Sequence, residues 1–362
     1  MADTIKIGNL EIDGFKVGSD NCKIYLGDTL LYPQKESYPF AFRRITAGGS
    51  AYTRNCSSSS ADTITSAMTI SATSMSTISG TTSNRITDII VGDCTTSIGT
   101  RAFSGWTKVS SVTISDDVSI IGDRAFELVG YHSETTRIDL KIGNGVTTIG
   151  QNAFNNCRYV NNIAIPSSVT TMSANCFSNI PGLTGLTFEN GFNFVNAGQS
   201  IFSYCGIKNL TFPTSVTNIP YRAFYSCTNL SALTIPNSVI SIGNEAFYSN
   251  NSLTSVTIPD SVTTVGTSAF TTTSGGLVNV DIGSGITSIG QAAFWSNRRL
   301  TRVICMATTP PTLASGTIPF PTWSSDDINY PLIYVPDGSV NTYKSSWGIT
   351  LASHIYPISD LE

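Results

Sequence analysis

Residues suited to acid–base or nucleophilic chemistry are scarce in this sequence. It contains two histidines, His132 and His354, and only 12% of its 362 residues are charged. That charged fraction is about half of the usual quarter. No arrangement of Ser, His and Asp, or of Cys and His, can be recognised from the spacing of these residues. We therefore predict no catalytic residues, and we interpret each histidine as a surface or packing residue.

The spacing of the cysteines does not indicate a metal site or a redox pair. None of the eight forms a Cys-x-x-Cys pair, and none lies at a zinc-binding spacing from a histidine. Their density is far below that of a disulfide scaffold, so we expect mostly reduced thiols and neither a metal nor a cofactor. A bridge between Cys205 and Cys227 is left open, although free thiols are favoured. The cysteines are Cys22, Cys56, Cys94, Cys157, Cys176, Cys205, Cys227 and Cys305.

Two aspartate pairs and one glycine-rich stretch are interpreted as turns. Asp116–Asp117 and Asp326–Asp327 would suit calcium by residue type, but the first pair occupies a turn that Asn237–Ser238 fills elsewhere. We therefore interpret these aspartates as solvated turn residues. Gly143–Gly150 contains no Gly-Lys-Ser/Thr sequence, so it is not predicted to hold a phosphate.

The charge balance excludes several classes of partner. The chain has 20 basic and 24 acidic residues and a net charge of −4. Such a chain lacks the basic patch that nucleic acids or anionic membrane surfaces require. No stretch approaches the roughly 18 apolar residues of a membrane span, so we expect no membrane insertion. The start, MADTIKIGNL, carries no signal-peptide pattern, which favours a protein not secreted by the general route unless a signal was removed.

A regularly spaced phenylalanine is the strongest signal in the sequence. Five residues before it stands an aliphatic residue, as Ile242 before Phe247, and a glycine usually follows the aliphatic residue. Twelve and fourteen residues before it lies an apolar pair, such as Leu233 and Ile235. The repeated unit is LxxLxIPxSVxxIGxxAFxxC. Successive members lie 22 to 28 residues apart, at Phe103, Phe126, Phe154, Phe177, Phe202, Phe224, Phe247, Phe270 and Phe294.

The spacings within the unit predict a stack of coils. In LxI the two apolar side chains point inward and the residue between them outward, as in a short strand. A proline such as Pro236 ends the strand, and the later glycine is predicted to permit a sharp turn. One unit of about 23 residues cannot offset its own ordering entropy, whereas stacked neighbours bury each other's faces. We predict a mainly β solenoid with a parallel sheet along one side and a column of Phe rings inside.

The unit resembles the BspA-like leucine-rich repeat, and the resemblance extends from Ile86 to Cys305. It implies a right-handed leucine-rich-repeat coil and a role in adhesion. The segments Leu300–Leu313 and Ile333–Gly348 look like the closing cap of that family. Apolar residues at Val340, Tyr343 and Trp347 predict a short cap helix that covers the open end of the last coil, with Asp337 or Ser339 capping its start.

The N-terminal part departs from the repeat. Residues 1–34 read as short strands broken by glycines, and they resemble N-terminal segments of virion proteins from phages of gut bacteria. The Ser/Thr-rich stretch that follows alternates like degenerate, repeat-like strands. The predicted division is a small N-terminal β module at 1–40, a connecting segment or degenerate repeats at 41–85, leucine-rich repeats at 86–307 and a C-terminal cap at 308–362.

Two repeats are irregular. In the unit of Phe202, Leu186 and Phe188 lie two residues too far from the phenylalanine. The unit of Phe154 carries about five extra residues near Tyr131–Thr136. Insertions in solenoids occupy loops on one face, which is often a binding face. A tolerated surface loop is the favoured interpretation.

The candidate binding surface consists of outward strand positions and of aromatic residues beside the Phe column. Aromatic rings among amides and hydroxyls suit a sugar or a protein partner, because rings supply area and amides supply directed hydrogen bonds. The alternative is that the rings pack along the edge of the coils. The candidates are Tyr225, Tyr248, Trp295, Tyr204, Trp106, Asn162, Asn209, Lys141 and Arg302.

These observations predict a non-enzymatic protein for recognition or structural attachment. The first hypothesis is a phage virion fibre or decoration protein whose N-terminal module binds other virion proteins and whose solenoid meets a protein or glycan on the host cell. The second is a bacterial cell-surface adhesin of BspA-like type. The oligomeric state is left open, including a homo-oligomer.

Overall fold

The fold is described from a computed structural model. The described residues are 86–92, 95–131, 137–314, 319–321 and 330–361, together with short strands between residues 5 and 70. Features outside them are His132, the insertion after Tyr131, Asp326–Asp327, Cys22, Cys56 and Cys94. The chain divides into two compact units, Met1–Pro39 and Phe40–Glu362.

The first unit contains short antiparallel strands. β1 (Ile5–Ile7) pairs with β2 (Leu10–Ile12). β3 (Phe15–Val17), β4 (Ile24–Leu26) and β5 (Thr29–Tyr32) form a three-stranded antiparallel sheet. The expected small β module is present.

The second unit begins with a hairpin of reversed direction. β6 (Phe42–Thr46) and β7 (Ala51–Arg54) are antiparallel, and β6 also pairs antiparallel with β9 (Ile86–Val91). β8 (Met68–Ile70) instead pairs parallel with β10 (Thr95–Ile98). The predicted connecting segment therefore contributes strands to both sheets of the solenoid.

The LxI segments form the predicted parallel strands. Burial alternates along each strand. In Ser111–Ile114, for example, Val112 and Ile114 are buried, whereas Ser111 and Thr113 are partly exposed. The register places equivalent residues of successive coils side by side, as Val256 beside Val280. After β9 these strands are β11 (Ser111–Ile114), β13 (Asp139–Lys141), β15 (Asn162–Ile165), β17 (Gly185–Phe188), β19 (Asn209–Thr211), β21 (Ala232–Thr234), β23 (Ser255–Ile258), β25 (Asn279–Ile282) and β27 (Arg302–Cys305).

A second parallel ladder, not predicted from the sequence, runs through the Ile-Gly segments. The glycine there was expected to permit a sharp turn. It instead allows the backbones of successive coils to approach each other closely. A Cβ on Gly150 would lie 2.6 Å from the carbonyl carbon of Gly122 in the preceding coil. After β10 this ladder contains β12 (Ile120–Ile121), β14 (Thr148–Ile149), β16 (Thr171–Met172), β18 (Asn196–Ala197), β20 (Asn218–Ile219), β22 (Ser241–Ile242), β24 (Thr264–Val265), β26 (Ser288–Ile289) and β28 (Thr312–Leu313).

The nine repeat phenylalanines form one continuous column. All are buried, and consecutive rings stack with centroids 5.0 to 5.6 Å apart. The column then continues into the cap, where Phe320 stacks on Phe294 at 5.7 Å and Trp347 meets Phe320 at 6.0 Å. The predicted interior is confirmed, and it is longer than the repeats that predicted it.

The turns that carry the Phe column are linked by a further set of backbone hydrogen bonds, which we call the turn ladder. The N–H of Arg124 donates to the Gln151 carbonyl of the next coil at 2.8 Å, and that of Phe126 to the Ala153 carbonyl at 2.8 Å. Residues two before and two after the phenylalanine adopt positive φ, as Arg124 (54°) and Leu128 (61°) do. This alternation points successive donors toward the following coil.

The C-terminal cap closes both the sheet and the Phe column. Its elements are β29 (Leu332–Val335), a 3-10 turn (Asp337–Ser339), α1 (Val340–Trp347), α2 (Ile349–Ala352), β30 (Ile355–Pro357) and a final 3-10 turn (Ile358–Asp360). The predicted helix is present as α1, with Tyr343 and Trp347 buried. Ser339 stands at its N-cap, but its hydroxyl donates to the Thr308 carbonyl at 2.7 Å instead, so the predicted side-chain cap was wrong. Among the described residues, no helix combines the length and apolar character of a membrane span.

Candidate functional site

The reactive side chains of the described region lie in structural positions. Cys157, Cys176, Cys205, Cys227 and Cys305 are free and buried, so Cys205 and Cys227 do not form the bridge that the sequence left open. Burial raises the pKa of Cys157 and of Cys227 to about 12, which keeps both thiols protonated at neutral pH.

His354, Asp260 and Asp116 also have structural roles, in ring packing or in hydrogen bonds between coils. The ring of His354 packs against Tyr330 with centroids 5.1 Å apart. Asp260 accepts hydrogen bonds from the backbone N–H and the hydroxyl of Ser284 in the next coil, at 2.6 and 3.0 Å, and these bonds lower its pKa. Asp116 accepts from Asn144 in the same way at 2.8 Å. In the parts of the chain that the structure describes, no three His, Cys, Asp or Glu side chains lie close enough together to bind a metal ion.

The predicted outward strand residues are spread along the sheet face. Asn162, Asn209 and Lys141 are exposed, but they lie on β15, β19 and β13 respectively and form no common cluster. Arg302 on β27 lies 3.5 Å from the carboxylate of Asp281 on the neighbouring strand. This face is therefore a broad surface of amides, hydroxyls and scattered charges.

Three of the predicted aromatic residues form a row, which we call the tyrosine row. Tyr225 and Tyr248 stack with centroids 4.8 Å apart and an interplanar angle of 4°. Tyr204, the most exposed of the three, meets Tyr225 edge to face at 5.6 Å. Burial, followed by the neighbouring tyrosines, raises the pKa of Tyr225. Because Tyr225 and Tyr248 cover each other's facing surfaces, the row presents mainly ring edges and hydroxyl groups to solvent.

An arginine–glutamate pair fixes the tyrosine row. Arg222 binds Glu245 through two hydrogen bonds, from Nε at 2.9 Å and from a terminal nitrogen at 3.1 Å. The guanidinium lies 5.2 Å from the ring centroid of Tyr225 and 5.0 Å from that of Tyr221. Desolvation opposes its charge, but the bond to Glu245 raises the pKa of Arg222. The pair holds a charged donor beside the rings.

Trp295 and Trp106 do not join the tyrosine row. Trp295 is 37% exposed and lies two coils beyond Tyr248, with the buried Thr271 at the equivalent position between them. Trp106 is partly buried, and its ring meets Phe103 edge to face at 5.2 Å. Trp106 therefore packs against the first ring of the Phe column.

The irregular repeat opens a cleft on the strand face. β15 and β17 pair over four residues and β19 and β21 over three, but β17 and β19 pair at Gly185 and Asn209 alone. Beyond that pair the two strands separate and leave a cleft of about 520 Å³. Its lining residues are Thr184, Gly185, Leu186, Thr187, Phe188, Asn190, Asn209, Thr211, Phe212 and Pro213.

The cleft follows from two features of the irregular repeat. Phe188 and Phe212 occupy the strand-end position at which regular coils carry isoleucine, such as Ile165 and Ile235. Phe192 stands where regular coils carry valine, such as Val239, and the two extra residues follow it. This longer segment contains Phe194, whose ring packs edge to face against Phe192 at 5.0 Å. The sequence pattern reveals the irregular repeat and places Asn209 on the strand face, but it does not predict a cleft. The signal that could have found it is the change from isoleucine to phenylalanine in two successive units.

The family follows from a match over most of the repeats. A family described as "BspA type Leucine rich repeat region (6 copies)" matches residues 80–198 and again residues 193–301. The chain belongs to the BspA-type leucine-rich repeat family. The resemblance inferred from the repeated unit is thereby confirmed, and no curated protein matches the chain.

Solved structures with similar folds come from bacteria. A leucine-rich repeat protein from Bacteroides ovatus is 16% identical, with 95% of this BspA-type chain and 98% of that chain covered and a TM-score of 0.50. A leucine-rich cell surface protein from Faecalibacterium prausnitzii is 22% identical, with 85% and 90% covered and a TM-score of 0.39. The first likeness supports the solenoid fold.

Proposed function

We propose that this BspA-type protein is a non-catalytic recognition protein displayed at a bacterial cell surface, and that the tyrosine row is its protein-binding surface. The observation that carries the proposal is the row itself. Tyrosine and arginine are enriched at the energetic centres of protein interfaces. Here Tyr225, Tyr248 and Arg222 are held rigidly by stacking and by the bond to Glu245, so little conformational entropy is lost on binding.

A protein partner fits the row better than a sugar does. A sugar ring stacks on an open aromatic face, but the facing surfaces of Tyr225 and Tyr248 already cover each other. What remains exposed is a set of hydroxyl groups, ring edges and one guanidinium, which suits the carbonyl and carboxylate groups of a polypeptide.

Replacement of the row should reduce attachment to cells without unfolding the protein. We expect the Tyr204→Ser, Tyr225→Ser, Tyr248→Ser variant to lose at least about tenfold in affinity for the target cells, since each residue belongs to the tyrosine row. Tyr356→Ser, which removes an exposed tyrosine from β30, is the control and should bind as the parent does. Binding of fluorescent protein to cells, with the melting temperature of each variant, decides between a recognition surface and edge packing. Equal binding by the triple variant would overturn the proposal.

The virion alternative gives a different localisation. It depends on attachment through the unit Met1–Pro39, whereas a solved structure of similar fold comes from a bacterium and favours the bacterial alternative. Immunogold labelling of producing cells and of any phage particles they release separates the two. Label on the cells supports the proposal, and label confined to particles contradicts it.

A further inference from the structure

We propose that the cleft between β17 and β19 binds one residue of an uncharged carbohydrate. The site is separate from the tyrosine row and has different chemistry. None of the residues that line it is charged. A charged ligand would therefore lose its hydration there without a compensating partner, which favours a neutral ligand.

The lining combines apolar and hydrogen-bonding groups in the proportion that a sugar ring needs. The partly exposed ring of Phe188 supplies aromatic surface, and the buried Phe212 packs beside it with the ring centroids 5.9 Å apart. The exposed side chains of Thr187, Asn190 and Asn209 supply hydroxyl and amide groups around them. A sugar ring has C–H groups on its faces for aromatic contact and hydroxyls at its edge for amides. The volume of about 520 Å³ lies within the range of small-ligand sites.

The cleft is closed to an extended polypeptide. At one end, β17 and β19 pair at Gly185 and Asn209. Past the turn the same two coils are joined again, because Ser215 donates a hydrogen bond to the Phe192 carbonyl at 2.6 Å and Asn193 to Thr217 at 3.3 Å. A compact ligand can lie between these two closures, whereas a strand that runs through the cleft cannot.

The aromatic floor is rigid, which favours binding by a preformed site. Phe188 stacks on Phe192 at 4.7 Å and meets Phe202 of the main column at 6.0 Å. Phe212 likewise meets Phe224 at 5.6 Å. The two rings are therefore anchored to the interior and need no rearrangement before a ligand binds.

The test uses the full chain and a panel of immobilised oligosaccharides. The panel contains neutral oligomers of glucose, galactose and mannose, together with sialylated oligomers of similar size. Thr211→Trp places a large side chain at the cleft from an exposed strand position, and Thr257→Trp makes the same change on β23 as a control. We expect the parent and Thr257→Trp to bind at least one neutral oligomer, and Thr211→Trp to lose that binding by at least about tenfold.

A second pair of variants removes a single amide. Asn190→Ala should weaken binding of the same oligomer by about threefold to tenfold, the usual range for one lost hydrogen bond. Asn237→Ala changes the equivalent turn residue of a regular coil and should have no effect. The proposal is overturned if no neutral oligomer binds, if sialylated oligomers alone bind, or if Thr211→Trp binds as the parent does. Because the tyrosine row is intact in these variants, attachment to cells tests the proposed function independently.

Discussion

At the scale of single residues, a side chain in five of the nine repeats ties the Phe column to the coil before it. The position three residues after the phenylalanine carries a buried hydrogen-bond donor in these five repeats, whereas Val129 and Ile180 occupy it in two others. Cys157 donates to the Phe126 carbonyl at 3.1 Å, and Asn250 donates to the Phe224 carbonyl at 3.0 Å. A buried carbonyl that accepts no hydrogen bond costs stability, so a compact donor at this position stabilises the coils that carry one.

Exchange of asparagine for cysteine at this position should have opposite effects at two sites. In Asn250 the side-chain oxygen is buried without a partner, so Asn250→Cys keeps a donor, removes that oxygen and should stabilise the protein by about 1 kcal/mol. In Asn297 the oxygen accepts from the Leu277 N–H at 2.8 Å. Asn297→Cys should therefore destabilise by about 1–3 kcal/mol. Urea unfolding of both variants measures the difference, and a shift of the same sign in both would contradict this account.

The buried thiols predict a loss of stability at alkaline pH. Burial raises the pKa of Cys157 and Cys227 to about 12 in the folded protein, against about 8.5 for an exposed thiol. The unfolded chain releases these protons first, so their contribution is complete below pH of about 8.5 and is lost as the pH rises toward 12. The free energy of unfolding should fall over this window. Replacement of both residues by asparagine should flatten the slope, and an unchanged slope would exclude these thiols as its source.

At the scale of elements, a proline interrupts the second ladder. In regular coils the residue after the aliphatic one donates its N–H to the preceding coil, as Gly243 donates to the Ile219 carbonyl at 2.8 Å. Pro220 stands at that position and has no N–H. The ladder accordingly ends at β18 and starts again at β20. The gap is bridged by a side chain, since the Thr217 N–H donates to Asn193 Oδ1 at 3.3 Å.

Hydrogen exchange should detect this interruption. The Thr217 amide binds a side chain, whereas the equivalent Ile240 amide donates to the Thr217 carbonyl at 2.7 Å. We expect the Thr217 amide to exchange at least about tenfold faster, because its partner can move away without opening of the sheet. Asn193→Ala should increase the exchange rate of Thr217 further and leave Ile240 unchanged. Equal protection of the two amides in the parent protein would show that the ladder is continuous.

How far the sequence predicts an element depends on what determines that element. The odd-numbered strands from β11 to β27 follow from LxI alternation, because burial of one face fixes which residues point inward. α1 follows from the spacing of Tyr343 and Trp347. The two-residue strands of the second ladder are too short to show an alternating pattern in the sequence. Their pairing is determined by the neighbouring coil. The cleft depends on how two extra residues pack, which no periodicity describes.

At the scale of the whole molecule, the repeat predicts the interior better than it predicts the surface. Phe320 lies 26 residues after Phe294, within the range of the other separations, but Pro319 precedes it where the repeat carries alanine. Its place in the column was therefore missed. The tyrosine row was predicted as a set of residues, whereas its stacking and the bond between Arg222 and Glu245 depend on side-chain geometry across coils.

The turn ladder gives the molecule a chemical polarity. Its N–H groups point to the following coil, as Phe224 donates to Ala246, and the carbonyl groups that they meet point back. Along this edge of the coils the two ends of a bare stack would be unlike, one offering acceptors and the other donors. In the second ladder the N–H groups point the other way, as Gly243 donates to the preceding coil. Further repeats can therefore be grafted in one orientation only. A tandem fusion that preserves chain direction would continue the turn ladder across the joint. If two such stacks met with the same ends together, N–H groups would face N–H groups, or carbonyls would face carbonyls.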